Sequence, residues 1–182
     1  MGLFSKKSIH ETIKKYGWSS YANGGSGNDK IYGYSVDKNT LHGGSGSDYV
    51  AGWGSRNYLY GGSGSDTVKG YGAYNKLYGG TGNDKVYGYG ATNYLYGQDG
   101  HDYLYGKGAY SYLSGGNHND ILKAYGARNV MYGGNDQDKL YAYGASNDMH
   151  GGSGYDSLYG YGLDNKMDGD SGNDYLYASG AS

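Results

Sequence analysis

The stretch Gly61-Gly62-Ser63-Gly64-Ser65-Asp66-Thr67-Val68-Lys69-Gly70-Tyr71-Gly72-Ala73-Tyr74-Asn75-Lys76-Leu77-Tyr78 decides the fold. It is two nonapeptides end to end, each with six turn-forming residues followed by an outward-aliphatic-outward triplet. Equivalent glycine-rich turns begin at Gly24, Gly43, Gly61, Gly79, Gly97, Gly115, Gly133, Gly151 and Gly169. The first spacing is 19 residues and the other seven are 18, the extra residue falling between Gly33 and His42. Position eight of the first nonapeptide holds Ile31, Val50, Val68, Val86, Leu104, Leu122, Leu140, Leu158 and Leu176. The second holds Leu41, Leu59, Leu77, Leu95, Leu113, Met131, Met149 and Met167. One inward aliphatic between two outward residues is a three-residue strand, and glycine supplies the left-handed dihedrals that reverse the chain. Two strands and two turns per unit predict an all-β parallel solenoid of about nine coils, stacked at ~4.8 Å.

Composition narrows the function classes. Of 182 residues, 39 are Gly and 27 are Tyr, with no Pro and no Cys. Disulfides and thiolate metal sites are excluded. No apolar run is long enough for a membrane-spanning helix. The opening Met1-Gly2-Leu3-Phe4-Ser5-Lys6-Lys7 lacks the apolar stretch of a cleavable signal peptide. A formal charge of −2 gives no reason to expect specific nucleic-acid binding. His10, His42, His101, His118 and His150 show no metal-ligand spacing, and a roll with a filled core offers no concave site. The chain is expected not to be an enzyme.

Position six of the first nonapeptide is aspartate in all nine copies: Asp29, Asp48, Asp66, Asp84, Asp102, Asp120, Asp138, Asp156 and Asp174. Stacking puts these carboxylates in a column about 4.8 Å apart, where they repel one another. A hard divalent cation converts that repulsion into coordination. Ca²⁺ suits a flexible cage of carboxylate and carbonyl oxygens better than Mg²⁺. Nine turns enclose at most eight gaps, so up to about eight Ca²⁺ along one edge are expected. Copies five to seven are degraded, which predicts weaker middle sites.

The first nonapeptide, G-G-x-G-x-D-x-U-x, resembles the RTX calcium-binding repeat, from Gly24 to the C-terminus. The resemblance implies a right-handed parallel β-roll with Ca²⁺ held between stacked turns. Backbone ligands would come from Gly25, Gly27, Gly44, Gly46, Gly62, Gly64, Gly80, Gly82, Gly152 and Gly154. It also implies a bacterial setting, secreted or at the cell surface. The second nonapeptide departs from the family pattern. Its position six is Asn39, Asn57, Asn75, Asn93, Ser111, Asn129, Asn147 and Asn165. These uncharged amides are expected to form a hydrogen-bonded ladder in place of a metal edge.

Tyrosine also falls in columns. Position two of the second nonapeptide gives Tyr34, Trp53, Tyr71, Tyr89, Tyr125, Tyr143 and Tyr161, interrupted by Lys107. Position nine includes Tyr60, Tyr78 and Tyr96. A core one residue wide cannot hold these rings, so most lie on the surface. Two readings stay open: the rings shield and stiffen a thin core, or they form a contact surface for another rod, a glycan or ice. Against ice, Thr occurs only five times and never as a column.

At the N-terminus, Ser8 and Glu11 make a capping box, and Ile9, Ile13 and Tyr16 share a helical face. A short amphipathic helix over residues 9–16 is expected, within a capping segment 1–23 ahead of the roll 24–182. The last unit stops part way through a second nonapeptide, which points to a longer chain or to completion by another subunit. These features add up to a calcium-stiffened extracellular structural rod that self-associates. The alternatives are an ice-binding protein, or an accessory folding or secretion module of a larger protein.

Overall fold

The computed structural model describes residues 10–180. Two long strands, β1 (Thr12–Ser26) and β2 (Lys30–Ser45), open the chain. Shorter strands follow: β3 (Tyr49–Trp53), β4 (Arg56–Ser63), β5 (Thr67–Tyr71), β6 (Tyr74–Thr81), β7 (Lys85–Tyr89), β8 (Thr92–Asp99), β9 (Tyr103–Lys107) and β10 (Tyr110–Asn117). The series ends with β11 (Ile121–Tyr125), β12 (Val130–Asn135), β13 (Lys139–Tyr143), β14 (Asp148–Gly154), β15 (Ser157–Tyr161), β16 (Lys166–Gly172) and β17 (Tyr175–Ser179). From β3 onward, each strand pairs in parallel with the strand two places on, one full coil later. The register runs Val50↔Val68, Val68↔Val86 and Val86↔Leu104 on one side, and Leu59↔Leu77 and Leu77↔Leu95 on the other. The chain is thus an all-β parallel solenoid of about nine 18-residue coils.

The register follows from the side chains. Shifting a strand by one residue would turn its aliphatic out and a Tyr or Lys in. In this register the position-eight residues from Ile31 to Leu158 are fully buried and form one continuous core file. Only at the last coil does the file open, with Leu176 44% exposed.

The turns keep their backbone even where glycine is lost. Position two of the calcium-type turn has positive φ at Gly62 and Gly80, and so do its replacements Gln98 (φ 86°) and Asp170 (φ 61°). Position four behaves alike, with His118 (φ 74°) and Asp136 (φ 75°). Gln98, His118 and Asp136 therefore hold a left-handed conformation between coils stacked on either side, and Asp170 holds it in the last turn against the coil before it. The opposite turn changes shape along the rod. From Gly126 onward it carries positive φ at Arg128, Ser146 and Asp164. The preceding coils place Arg56, Tyr74, Thr92 and Tyr110 there without positive φ.

The expected helix over residues 9–16 is corrected: Thr12–Tyr16 are strand, and Ile9 lies outside the described residues, as does Ser8 of the capping box. β1 pairs with β2 in the repeat's own register, Ile13↔Ile31 and Tyr16↔Tyr34. That pairing satisfies the edge of β2 and adds Ile13 and Ala22 to the core. A helix of eight residues would do neither, and is marginal by itself. Parallel pairing thus starts at Thr12. Among the described residues no helix is long and apolar enough to cross a membrane.

Candidate metal centre

The aspartate column lies along one rim, inside the turns. Each carboxylate's Oδ1 accepts the backbone N–H of the aspartate one coil earlier. Asp48 N–H donates to Asp66 Oδ1, Asp66 to Asp84, and Asp84 to Asp102, all at 2.7 Å. The series runs from Asp29 to Asp174, where Asp156 N–H donates at 2.9 Å. Glu11 continues it backwards, giving its N–H to Asp29 Oδ1 at 2.7 Å. The aspartates from Asp29 to Asp156 are at most 3% exposed, and Asp174 is only half-buried.

The second oxygen has no such partner. In eight of these aspartates, Asp29 through Asp156, Oδ2 is buried and accepts no hydrogen bond. A buried unpaired carboxylate oxygen is costly, and burial pushes up the carboxyls from Asp48 to Asp156. Asp66, Asp84, Asp102 and Asp138 rise to about 7 and Asp120 to about 8. Desolvation is the main cause, and neighbouring acids add to it.

Each orphan oxygen packs against a glycine whose missing Cβ lets it approach. A Cβ built on Gly61 would lie 2.5 Å from Asp66 Oδ2 and 2.5 Å from the carbonyl oxygen of Gly79. On Gly151 it would lie 2.5 Å from Asp156 Oδ2 and 2.7 Å from the Gly169 carbonyl oxygen. A carboxylate oxygen and a carbonyl oxygen from adjacent coils therefore converge on one small volume. This donor set fits a hard, oxygen-loving cation, and the Oδ2 row is the oxygen set that would hold Ca²⁺. When bound, the ion would supply positive charge to oxygens that have no donor.

The carbonyls of Gly44 and Gly46, at the positions expected to supply backbone ligands, lie beside the equivalent glycines one coil on, Gly62 and Gly64, and the same holds from Gly62 to Gly80 and from Gly64 to Gly82. The carbonyl that lies beside the same glycine as each orphan oxygen belongs to the position-one glycine of the next coil. Its signal was visible in the unbroken glycine at Gly61, Gly79, Gly97, Gly115, Gly133, Gly151 and Gly169.

The opposite rim has the same plan with amides. Asn39 Nδ2 donates to Asn57 Oδ1, Asn57 to Asn75 (both 2.8 Å) and Asn75 to Asn93 (2.9 Å). At Ser111 the contact weakens to 3.3 Å, and Asn129, Asn147 and Asn165 resume it at 2.8 Å. Spare amide protons reach turn carbonyls, as from Asn129 to Gly126 O at 2.8 Å.

The outward rings stack coil on coil. Tyr34–Trp53, Trp53–Tyr71 and Tyr71–Tyr89 have centroids 4.8, 5.0 and 5.1 Å apart, and Tyr125–Tyr143–Tyr161 follow at 4.4 and 4.9 Å. The other file runs Tyr60–Tyr78–Tyr96 at 5.0 and 4.8 Å. Where Lys107 and Ser114 interrupt the files, neighbouring rings lean across. Tyr105 lies 5.7 Å from Tyr89 and 5.2 Å from Tyr125, and Tyr112 lies 5.8 Å from Tyr96 and 5.7 Å from Tyr132. A second grouping was missed in the sequence: potential ligand atoms of His150, Asp168 and Asp170 lie within 4.8 Å of one another. The 18-residue spacing from His150 to Asp168 was its only signal.

No curated protein and no solved structure matches the chain. The family model for the RTX calcium-binding nonapeptide repeat (4 copies) matches residues 21–35, 36–68, 70–104, 78–113, 114–145 and 141–176. With nine aspartate turns stacked in register and most of the chain covered by that match, the protein belongs to the RTX calcium-binding repeat family.

Proposed function

We propose that this chain is a structural rod outside the cell whose folding is coupled to Ca²⁺ along the aspartate rim, and which self-associates through its tyrosine faces. The supporting observation is the row of buried Oδ2 atoms without donors. A rod with those charges unpaired is disfavoured at neutral pH, and one with them coordinated is not. Extracellular millimolar Ca²⁺ is enough to fill even weak sites. The rings support lateral contact because they are large, amphipathic and already ordered by stacking, so little rotamer entropy is lost on association.

Circular dichroism with excess chelator and then with millimolar Ca²⁺ tests the coupling. The chain is expected to lose its β signal in chelator and regain it with calcium; an unchanged spectrum contradicts the proposal. Electron microscopy of the same samples tests association, with calcium-dependent filaments or bundles expected. Dispersed single rods at high protein concentration would remove the self-association.

A further inference from the structure

We infer that the sheet face built by β3, β5, β7, β9, β11, β13, β15 and β17 binds a linear acidic polysaccharide. None of these eight strands contains an acidic residue. Five successive coils each present one lysine there: Lys69, Lys85, Lys107, Lys123 and Lys139. Beyond β3, which carries none, Lys14 and Lys30 add two more toward the N-terminus. Adjacent coils advance ~4.8 Å, and the lysines alternate among three strand positions (Lys85 and Lys139 first, Lys69 and Lys123 third, Lys107 fifth), so the charges form a staggered band along the rod axis. The opposite face is mixed, with Asp148, Asp168 and Asp170 among its outward residues.

Two of the lysines, Lys69 and Lys123, are held between rings. Lys69 Nζ lies 5.3 Å from the Tyr49 ring centre and 5.2 Å from that of Tyr87. Lys123 Nζ lies 5.5 Å from Tyr103 and 5.4 Å from Tyr141. Cations ordered this way lose less freedom when a polyanion arrives. With the nine rim aspartates neutralised, the formal charge moves from −2 to −2 + 9 = +7, so the track is then unopposed. To that extent the inference builds on the calcium reading.

The rings also discriminate between polyanions. Tyr34, Trp53, Tyr71 and Tyr89 are nearly parallel, with interplanar angles of 12°, 8° and 6°. Each ring covers its neighbour's faces, which leaves edges and hydroxyls outward. Nucleic-acid bases need free ring faces on which to stack. A hydroxyl- and carboxylate-bearing sugar chain needs hydroxyl partners and cations, and this face offers both.

The test uses the full chain in millimolar Ca²⁺, its fold checked by circular dichroism, against carboxymethyl-dextran, neutral dextran and oligothymidylate. Carboxymethyl-dextran is expected to bind in a salt-sensitive manner, neutral dextran not to bind, and oligothymidylate to bind more weakly. Replacing Lys85, Lys107 and Lys123 together by Glu is expected to weaken binding about tenfold or more, and replacing Lys38, Lys76 and Arg128 by Glu to leave it within about twofold. The Lys85→Gln, Lys107→Gln, Lys123→Gln variant serves if the Glu variant does not fold, with the same direction expected. A folded rod that ignores carboxymethyl-dextran overturns the inference and leaves the calcium rim standing. Equal loss from both triple variants, or tighter binding of oligothymidylate, also overturns it.

Discussion

The two rims of the rod differ by one functional group at the same position of the repeat. On one, Asn75 has an amide that both accepts and donates, so its column closes on itself at 2.8–2.9 Å and its spare proton finds Gly72 O at 3.2 Å. On the other, Asp84 accepts through Oδ1 at 2.7 Å but leaves Oδ2 with nothing. The amide rim is self-sufficient, and the acid rim is incomplete without a proton or a cation. Isosteric columns on one backbone thus give a permanent seam and a conditional one.

Exchanging the rims' chemistry gives the largest expected effect. Asp66→Asn, Asp84→Asn and Asp102→Asn together should stabilise the chelated rod by about 1–3 kcal/mol per site, since each removes a buried unpaired oxygen. In chelator at neutral pH, circular dichroism should show β signal that the unchanged chain has lost, and the calcium-induced gain should shrink. A variant as unfolded in chelator as the unchanged chain would mean the carboxylates cost nothing. The reverse change, Asn75→Asp, should lower the melting point at neutral pH by the equivalent of about 1–3 kcal/mol. It leaves Asn93 Oδ1 without its donor and adds an anion to a seam that has no place for one.

The rims should also part company with pH. The folded values of Asp66, Asp84, Asp102 and Asp138 are raised to about 7, and that of Asp120 to about 8, above the ordinary 3.8. A raised carboxyl stabilises the fold below its unfolded value and loses that contribution as pH climbs through the folded value. In chelator the rod should therefore be most ordered near pH 4 and lose structure between about 4 and 8, the opposite of ordinary acid denaturation. Circular dichroism against pH in chelator reads this directly. The smallest effect is at the one gap in the amide seam: Ser111→Asn should add about 0.5–1.5 kcal/mol, visible as a small rise in melting temperature.

Coil length, the core file from Ile31 to Leu158 and the aspartate column were all legible, because each repeats at a fixed spacing and stacking turns spacing into proximity. What the sequence hid were features that depend on a choice between equal periodicities, or on lateral reach. Ile13 and Tyr16 fit a helical face as well as they fit the strand register with Ile31 and Tyr34, and only the waiting edge of β2 selects the strand. Tyr105 and Tyr112 stand in other columns from the gaps they fill, so no column reading could place them.

Locating the metal in a calcium-loaded crystal by anomalous scattering tests the central claim most directly. Peaks are expected between successive coils, beside the Oδ2 atoms of Asp66, Asp84 and their neighbours and the carbonyls of Gly79 and Gly97. Peaks along Asn57, Asn75 and Asn93, or an acid rim without metal at saturating calcium, would contradict the account.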